Sequence, residues 1–215
     1  MTLPIGCRPL DLLLGGGLHR KLITQFYGPA GSGKTNVALQ AAYTAARAGK
    51  RVVFLDPEGS FHEQRVRQIC GADTNSVLKN IILSSIMDFN EQDRVITQLP
   101  PCDLVIADSL TSLYRLQREQ DPQETNRRLA GQVLALMNKA RRDDIPVLIT
   151  NQVYSDFDTG ILEPVGGDVL KYNSKIIVEL QKHDTGERRA MLKKHLFKKD
   201  GEETTFRIVE RGLIE

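Results

Sequence analysis

Residues 28–35 read Gly28-Pro29-Ala30-Gly31-Ser32-Gly33-Lys34-Thr35, a glycine-rich run closed by a lysine and a hydroxyl. Glycines let backbone N–H groups turn inward around an anion with no Cβ in the way. Lys34 brings a cation to the β- and γ-phosphates of a nucleotide, and Thr35 offers its hydroxyl to Mg²⁺. All eight residues are therefore candidate ligands for ATP, with Thr35 also a candidate metal ligand. A helix that starts here points the positive end of its dipole at the same phosphates. The spelling is that of a P-loop, G-x-x-x-x-G-K-[ST].

Two acids and an amide fall where such a site needs them. Asp103-Leu104-Val105-Ile106-Ala107-Asp108-Ser109 is an apolar run ending in a carboxylate, the Walker B pattern. As a strand buried on both faces it delivers Asp108 to the Mg²⁺ shell. Arg51-Val52-Val53-Phe54-Leu55-Asp56 is a second buried strand, followed by Pro57-Glu58-Gly59-Ser60-Phe61. Ligands bind beyond the carboxyl ends of the strands in an open α/β sheet, which makes Glu58 a candidate general base toward a water at the γ-phosphate. An acid at a helix N-terminus accounts for the same position, and position alone leaves both open. Gln152, ending the strand Pro146–Val153, is placed to sense the γ-phosphate or to bond a neighbouring loop.

The elements that must hold these groups are legible from periodicity. Leu22–Tyr27 is strand-like, and Val37–Ala46 is an alanine-rich helix ending near Gly49, so the glycine-rich run has a strand before it and a helix after it. Residues 5–18 make a short apolar helical turn stopped by Gly15-Gly16-Gly17, expected as a lid on the sheet beside the P-loop. His62–Cys70 reads as a helix and Asn80–Ser85 as a third strand. Asp88 caps a helix that Pro100-Pro101 stops. Residues 123–142 form a long helix with Leu129, Val133, Leu136 and Met137 on its core face. Residues 154–166 read as a loop, followed by a short helix. Segments 175–180, 189–192 and 205–209 then make an antiparallel extension, with a hairpin turn at Asp184-Thr185-Gly186-Glu187.

Bulk numbers agree with one soluble α/β domain. The chain has 215 residues, 40% hydrophobic and 26% charged, and a net charge of +2. That is enough chain for a full core and too little charge for a global nucleic-acid field, so any DNA contact must be local. The cysteines Cys7, Cys70 and Cys102 lack metal-ligand spacing and read as reduced thiols. No signal peptide and no apolar run of membrane length is seen, which makes a membrane an unexpected partner and the cytoplasm, with its nucleoid, the expected compartment.

Taken in order, the motifs carry a resemblance. Leu10-Asp11-Leu12-Leu13-Leu14-Gly15-Gly16-Gly17, the P-loop, Asp56 through Arg65, Asp108-Ser109-Leu110-Thr111-Ser112, Thr150-Asn151-Gln152-Val153 and Phe206 through Leu213 together resemble the RecA/RadA recombinase superfamily, and within it the archaeal paralogues of RadA. The likeness runs over nearly the whole chain. It implies a RecA-like P-loop NTPase core, α/β, with a mainly parallel twisted sheet flanked by helices and a C-terminal antiparallel extension. Residues 1–215 would be a single ATPase domain with no N-terminal helical DNA-binding domain. By the same resemblance Glu58 takes the catalytic glutamate position, Arg65 that of the arginine stacking on adenine, and Gln152 that of the glutamine joining the γ-phosphate to the second DNA loop.

Departures set the functional expectation. No Phe-x-x-Ala, the polymerisation segment of such recombinases, occurs in the sequence. The first DNA loop, Tyr114-Arg115-Leu116-Gln117-Arg118-Glu119, has arginines but no glycine. The second, Tyr154 to Pro164, has acids and no Lys or Arg, although Tyr154 and Phe157 are available to stack. A proline-rich cap over a neighbour's ATP is replaced by Lys193-Lys194-His195-Leu196-Phe197-Lys198-Lys199-Asp200. The resemblance therefore implies a DNA-repair and recombination accessory ATPase. It would use ATP and Mg²⁺, hydrolyse slowly, bind single-stranded or branched DNA, and act with a RadA-type recombinase, as a homodimer or hetero-oligomer. The alternatives are a DNA-stimulated strand-exchange recombinase, a KaiC-like signalling ATPase and a non-hydrolysing binding module.

Overall fold

The computed structural model describes residues 1–119, 121–155, 162–183 and 185–215. A short strand β1 (Thr2–Leu3) precedes helix α1 (Arg8–Leu13) and strand β2 (Leu18–His19), which pairs back on β1. Then follow β3 (Ile23–Tyr27), α2 (Lys34–Arg47), β4 (Val52–Asp56), α3 (Glu63–Cys70), α4 (Thr74–Leu78), β5 (Ile81–Ser85), α5 (Phe89–Thr97) and β6 (Leu104–Ala107). The second half holds α6 (Ser112–Arg118), α7 (Pro122–Arg142), β7 (Val147–Asn151), β8 (Val153–Ser155), β9 (Leu162–Pro164) and α8 (Gly167–Asn173). It closes with β10 (Ile176–Lys182), β11 (Glu187–Lys194), β12 (Glu203–Val209) and β13 (Gly212–Ile214).

Among the described residues a nine-stranded sheet runs in the order β13-β12-β11-β10-β3-β7-β6-β4-β5. From β10 to β5 every pairing is parallel; from β10 to β13 every pairing is antiparallel. Strands β3, β4, β6 and β7 are buried along their whole length, which is why each reads as a mainly apolar run, with Thr24 and Gln25 of β3 and Thr150 and Asn151 of β7 as buried polar exceptions. Helix α2 covers one face, where Ala38, Ala41, Ala42 and Ala45 meet Phe26, Phe54 and Ile106. Alanine combines the highest helix propensity with a side chain small enough for close approach to the sheet. Helix α7 covers the other face through Leu129, Val133, Leu136 and Ala140, against Val105, Val147 and Ile149. Such a stripe is worth about 2 kcal/mol for each fully buried leucine.

Several expectations are refined. Asp88 caps α5, its carboxylate accepting from the amides of Asn90 and Glu91 at 2.8 Å each, and α5 ends at Thr97. Strand β5 is an edge strand with Ile82 and Leu83 turned to solvent. Residues 5–18 are not a lid beside the P-loop. Helix α1 packs on β12, and the Thr44 hydroxyl near the far end of α2 donates to the Ile5 carbonyl at 2.7 Å. The apolar row Leu10, Leu13 and Leu14 buries into the core that the extension shares with α2, and this decides its place. Residues 154–166 are not all loop, because β8 and β9 pair antiparallel through Val153↔Pro164 and Tyr154↔Glu163. Asp156, Phe157 and Asp158 of the segment expected as the second DNA loop, and Asp184 of the expected hairpin turn, lie outside the described residues. Tyr114 to Arg118 of the segment expected as the first DNA loop are helical, as part of α6.

Candidate functional site

Parallel strands that share a direction place their carboxyl ends on one rim, and here the rim collects the charged groups. The P-loop leaves β3, Glu58 lies just past β4, Asp108 just past β6 and Gln152 just past β7. These strands are adjacent in the sheet, so residues far apart in sequence converge. Glycine is required at two points of the P-loop. At Gly28 (φ +156°) an added Cβ would stand 2.2 Å from the Leu180 carbonyl oxygen of β10. At Gly33 (φ +105°) it would stand 2.9 Å from the Ile208 side chain of β12. The antiparallel extension thus presses on the phosphate loop from outside, and the loop fits only without side chains there.

Lys34 begins α2 and folds its ammonium back on the loop, donating to the carbonyls of Gly28 at 2.8 Å and Pro29 at 3.0 Å. Burial pushes its pKa down, while the nearby Asp108 and Glu58 carboxylates pull it up. Asp108 is 2% exposed. It accepts from the Thr150 hydroxyl, from the Ser60 hydroxyl at 2.8 Å, and from the side chain of Thr35. Burial raises its pKa; the hydroxyl donors lower it, and Glu58 raises it further. An anion held only by hydroxyls in a dry site is an incomplete arrangement that a hard cation would complete.

Glu58 is not an acid at a helix N-terminus, since α3 starts only at Glu63. Its Oε1 accepts from the Ser109 hydroxyl at 2.7 Å and from the Gln152 amide at 2.9 Å. Gln152 in turn accepts from Arg115 of α6 at 3.4 Å. One hydrogen-bonded chain therefore runs from Arg115 through Gln152 and Glu58 to Ser109.

Arg65 is set apart from this cluster. Its guanidinium donates to Asn36 Oδ1 at 2.9 Å and to the carbonyls of Val209 and Glu210 at 3.0 and 2.9 Å. It ties α3 to the start of α2 and to the turn between β12 and β13. Asn36 lines a cleft of about 350 Å³ with Gly31, Gly33, Lys34, Thr35, Arg188 and Ile208, and Arg65 reaches this cleft through it.

The Rad51 family profile matches residues 1–215. The DNA repair and recombination protein RadB of Methanosphaera stadtmanae is 42% identical over 215 residues, covering 95% of this chain and 92% of that protein. RadB of Methanothermobacter thermautotrophicus is 41% identical over 217 residues, with the same coverage. The chain belongs to the RadB branch of the Rad51 family. A crystal structure of the RadB recombinase superposes with a TM-score of 0.86 at 37% identity, covering 100% of this chain and 99% of that one. The Rad51 family consists of RecA-like ATPases of DNA repair and recombination that bind ATP with Mg²⁺. No helix among the described residues is long and apolar enough to cross a membrane.

In this RadB-family chain the polar partners Ser60, Ser109 and Thr150 were not singled out in the sequence, although each lies in a quoted motif. Asp56 was read only as the end of a strand. It organises the Glu58 turn by accepting from the amides of Ser60 at 2.7 Å and Phe61 at 3.0 Å. Arg188 carried no signal at all, because only strand pairing between β10 and β11 brings it to the P-loop.

Proposed function

We propose that this chain is a nucleotide-gated accessory ATPase of homologous recombination, with residues 1–215 working as one ATPase domain. Residues 28–35 wrap the phosphates of ATP, and Thr35 and Asp108 hold Mg²⁺. That ion, when bound, neutralises charge on the β- and γ-oxygens. Glu58 orients a water in line with the γ-phosphorus, and Lys34 swings from its loop carbonyls to the β- and γ-oxygens. Attack breaks the bond from the γ-phosphorus to the bridging oxygen and leaves ADP and phosphate. Gln152 joins Glu58 to the strand pair β8–β9, so the state of the γ-phosphate reaches the second DNA loop. Arg65 bounds the base end of the cleft.

The observation that carries this reading is the bond from Gln152 to Glu58 at 2.9 Å. It couples the group that handles water to the group that leads into a DNA-binding loop, as a switch requires. Slow hydrolysis follows because the described site supplies Lys34 as its cation at the γ-phosphate end, whereas fast phosphoryl transfer adds a further charge there. DNA and a RadA-type recombinase are the partners, in the cytoplasm at the nucleoid.

The test is ATP turnover with and without single-stranded DNA, with Glu58→Gln to subtract contaminating ATPase. A slow, Glu58-dependent rate indifferent to DNA is expected. The solved relative is named a recombinase, which favours one second reading, an active strand-exchange enzyme. Strong DNA stimulation of turnover would replace the accessory reading with that one.

A further inference from the structure

Arg188 belongs to none of the motifs above, yet it walls the same cleft as Gly31, Gly33, Lys34, Thr35 and Asn36. Strand β11 explains how it arrives. Side chains alternate between faces of a sheet, and Ala190 and Leu192 are buried in the core beneath α2. Arg188 is the next residue in that row, so it faces the same way but emerges beside the phosphate loop. Its Cγ stands 3.8 Å from where a Cβ of Gly33 would be.

Its hydrogen bonding is incomplete. Nη1 donates to the carbonyls of Gly186 at 2.7 Å and Glu187 at 3.3 Å. Nε is buried and has no partner among the described residues. The neighbouring arginines of the extension are neutralised: Arg189 pairs with Glu203, and Arg207 pairs with Glu187 at 2.9 Å. Among the described residues no carboxylate pairs with Arg188. A buried guanidinium donor without an acceptor costs free energy that an anion placed there would return.

We propose that Arg188 is a nucleotide-binding residue whose guanidinium contacts the non-transferred α- and β-phosphates. The place within the cleft decides which phosphates. The cleft is lined by the amide-bearing glycines of the loop with Lys34, Thr35 and Asn36, and not by Glu58, Asp108 or Gln152. Loop amides address the α- and β-phosphates and the lysine bridges the β- and γ-phosphates, while the acids, which lie outside the cleft, serve the γ end. Lys34 and Arg188 then hold the phosphate chain from two sides. Arg188 comes from the same chain, so this grip needs no neighbouring subunit. It acts on ADP and ATP alike, which is uniform binding and not stabilisation of the transition state.

The proposal rests on the reading of residues 28–35 as a nucleotide site, and the experiment separates the two. Full-length protein is titrated calorimetrically with ADP and with a non-hydrolysable ATP analogue. The variants are Arg188→Met, which keeps the aliphatic stem over Gly33, Arg188→Lys, and Lys34→Ala as the reference. Arg188→Met is expected to weaken both nucleotides by the same factor, about tenfold, and Arg188→Lys, which keeps the charge but loses the planar fork, to fall between wild type and Arg188→Met. Unchanged ADP affinity in Arg188→Met overturns the proposal, whether or not the ATP analogue is affected. Arg188→Lys binding as weakly as Arg188→Met would place the effect on the guanidinium fork rather than on charge alone, which supports the contact. If Lys34→Ala loses nucleotide while Arg188→Met does not, the proposal fails and the phosphate-loop reading stands. Wild-type protein that binds neither nucleotide overturns both.

Discussion

Lys34 and the four lysines of 193–199 look equally basic in the sequence and differ in everything that matters for chemistry. Lys34 is half-buried, bonded only to neutral carbonyls, with its pKa pushed down by burial. The lysines of 193–199 are at the surface and mostly satisfied. Lys193 lies 3.4 Å from Glu179, Lys198 lies 2.9 Å from Glu202, and Lys194 donates to the Lys171 carbonyl at 2.7 Å. The turn that carries them is organised by His195, whose Nδ1 accepts from the amides of Phe197 and Lys198 at 3.1 Å each. A half-buried cation whose own hydrogen bonds go to neutral carbonyls, with carboxylates near but not paired to it, holds its interaction in reserve for a ligand. A cation with a local acid at the water interface has little left to give.

The largest effect that would sharpen this contrast is expected at Lys34. Lys34→Ala removes a charge-assisted contact to phosphate and should weaken ATP binding by roughly a hundredfold or more; retention of full affinity in a fluorescence titration would put the site elsewhere. Glu58→Gln should slow turnover by about a hundredfold with nucleotide affinity kept, read by phosphate release beside an equilibrium titration.

Asp108→Asn should separate stability from function. The folded-state pKa of Asp108 is raised, first by burial, so its ionised form is disfavoured in the fold. That cost is present at neutral pH, begins to fall as pH drops through the raised folded value, and is gone only below the unfolded value. The asparagine variant should therefore have a higher Tm at pH 7, by about 2–4 °C for each kcal/mol regained. The gain should shrink toward acid pH, and turnover should be lost. Calorimetric scans across pH check the sign, and a lower Tm at neutral pH would contradict the assignment. The smallest effect belongs to the other side of the comparison. Replacing Lys193, Lys194, Lys198 and Lys199 with alanine should cost under about 1 kcal/mol per pair and leave the salt slope of DNA binding nearly unchanged. A slope reduced by about one unit per lysine would show that they meet phosphates after all.

The parallel core was legible because its strands are buried on both faces and write themselves as apolar runs between glycines. Lys34, Thr35 and Asp108 could be proposed from the sequence because phosphate and Mg²⁺ chemistry fixes residue types at fixed spacing. Glu58 needed the resemblance to settle its position, and the structure adds its bonds to Ser109 and Gln152. Ser60, Ser109 and Thr150 escaped because a hydroxyl that bonds a buried carboxylate has the same letter as one facing water. The placement of α1 escaped because an apolar turn says that it will be buried, and not against what. Arg188 escaped because its neighbourhood is created by strands pairing across long sequence separations.

Those separations also govern how the chain reaches its fold. Strand β3, which launches the phosphate loop, takes both of its hydrogen-bonded neighbours from late in the sequence, at residues 147–151 and 176–182. During synthesis the loop and its helix emerge early, but the strand they hang from has no partner until most of the chain has followed. Non-local parallel pairing of this kind makes folding slow and leaves apolar edges open to aggregation while it waits. Nascent chains stalled before β7 should accordingly be sticky and unable to retain nucleotide, and chaperone dependence should end only after β10 has left the ribosome.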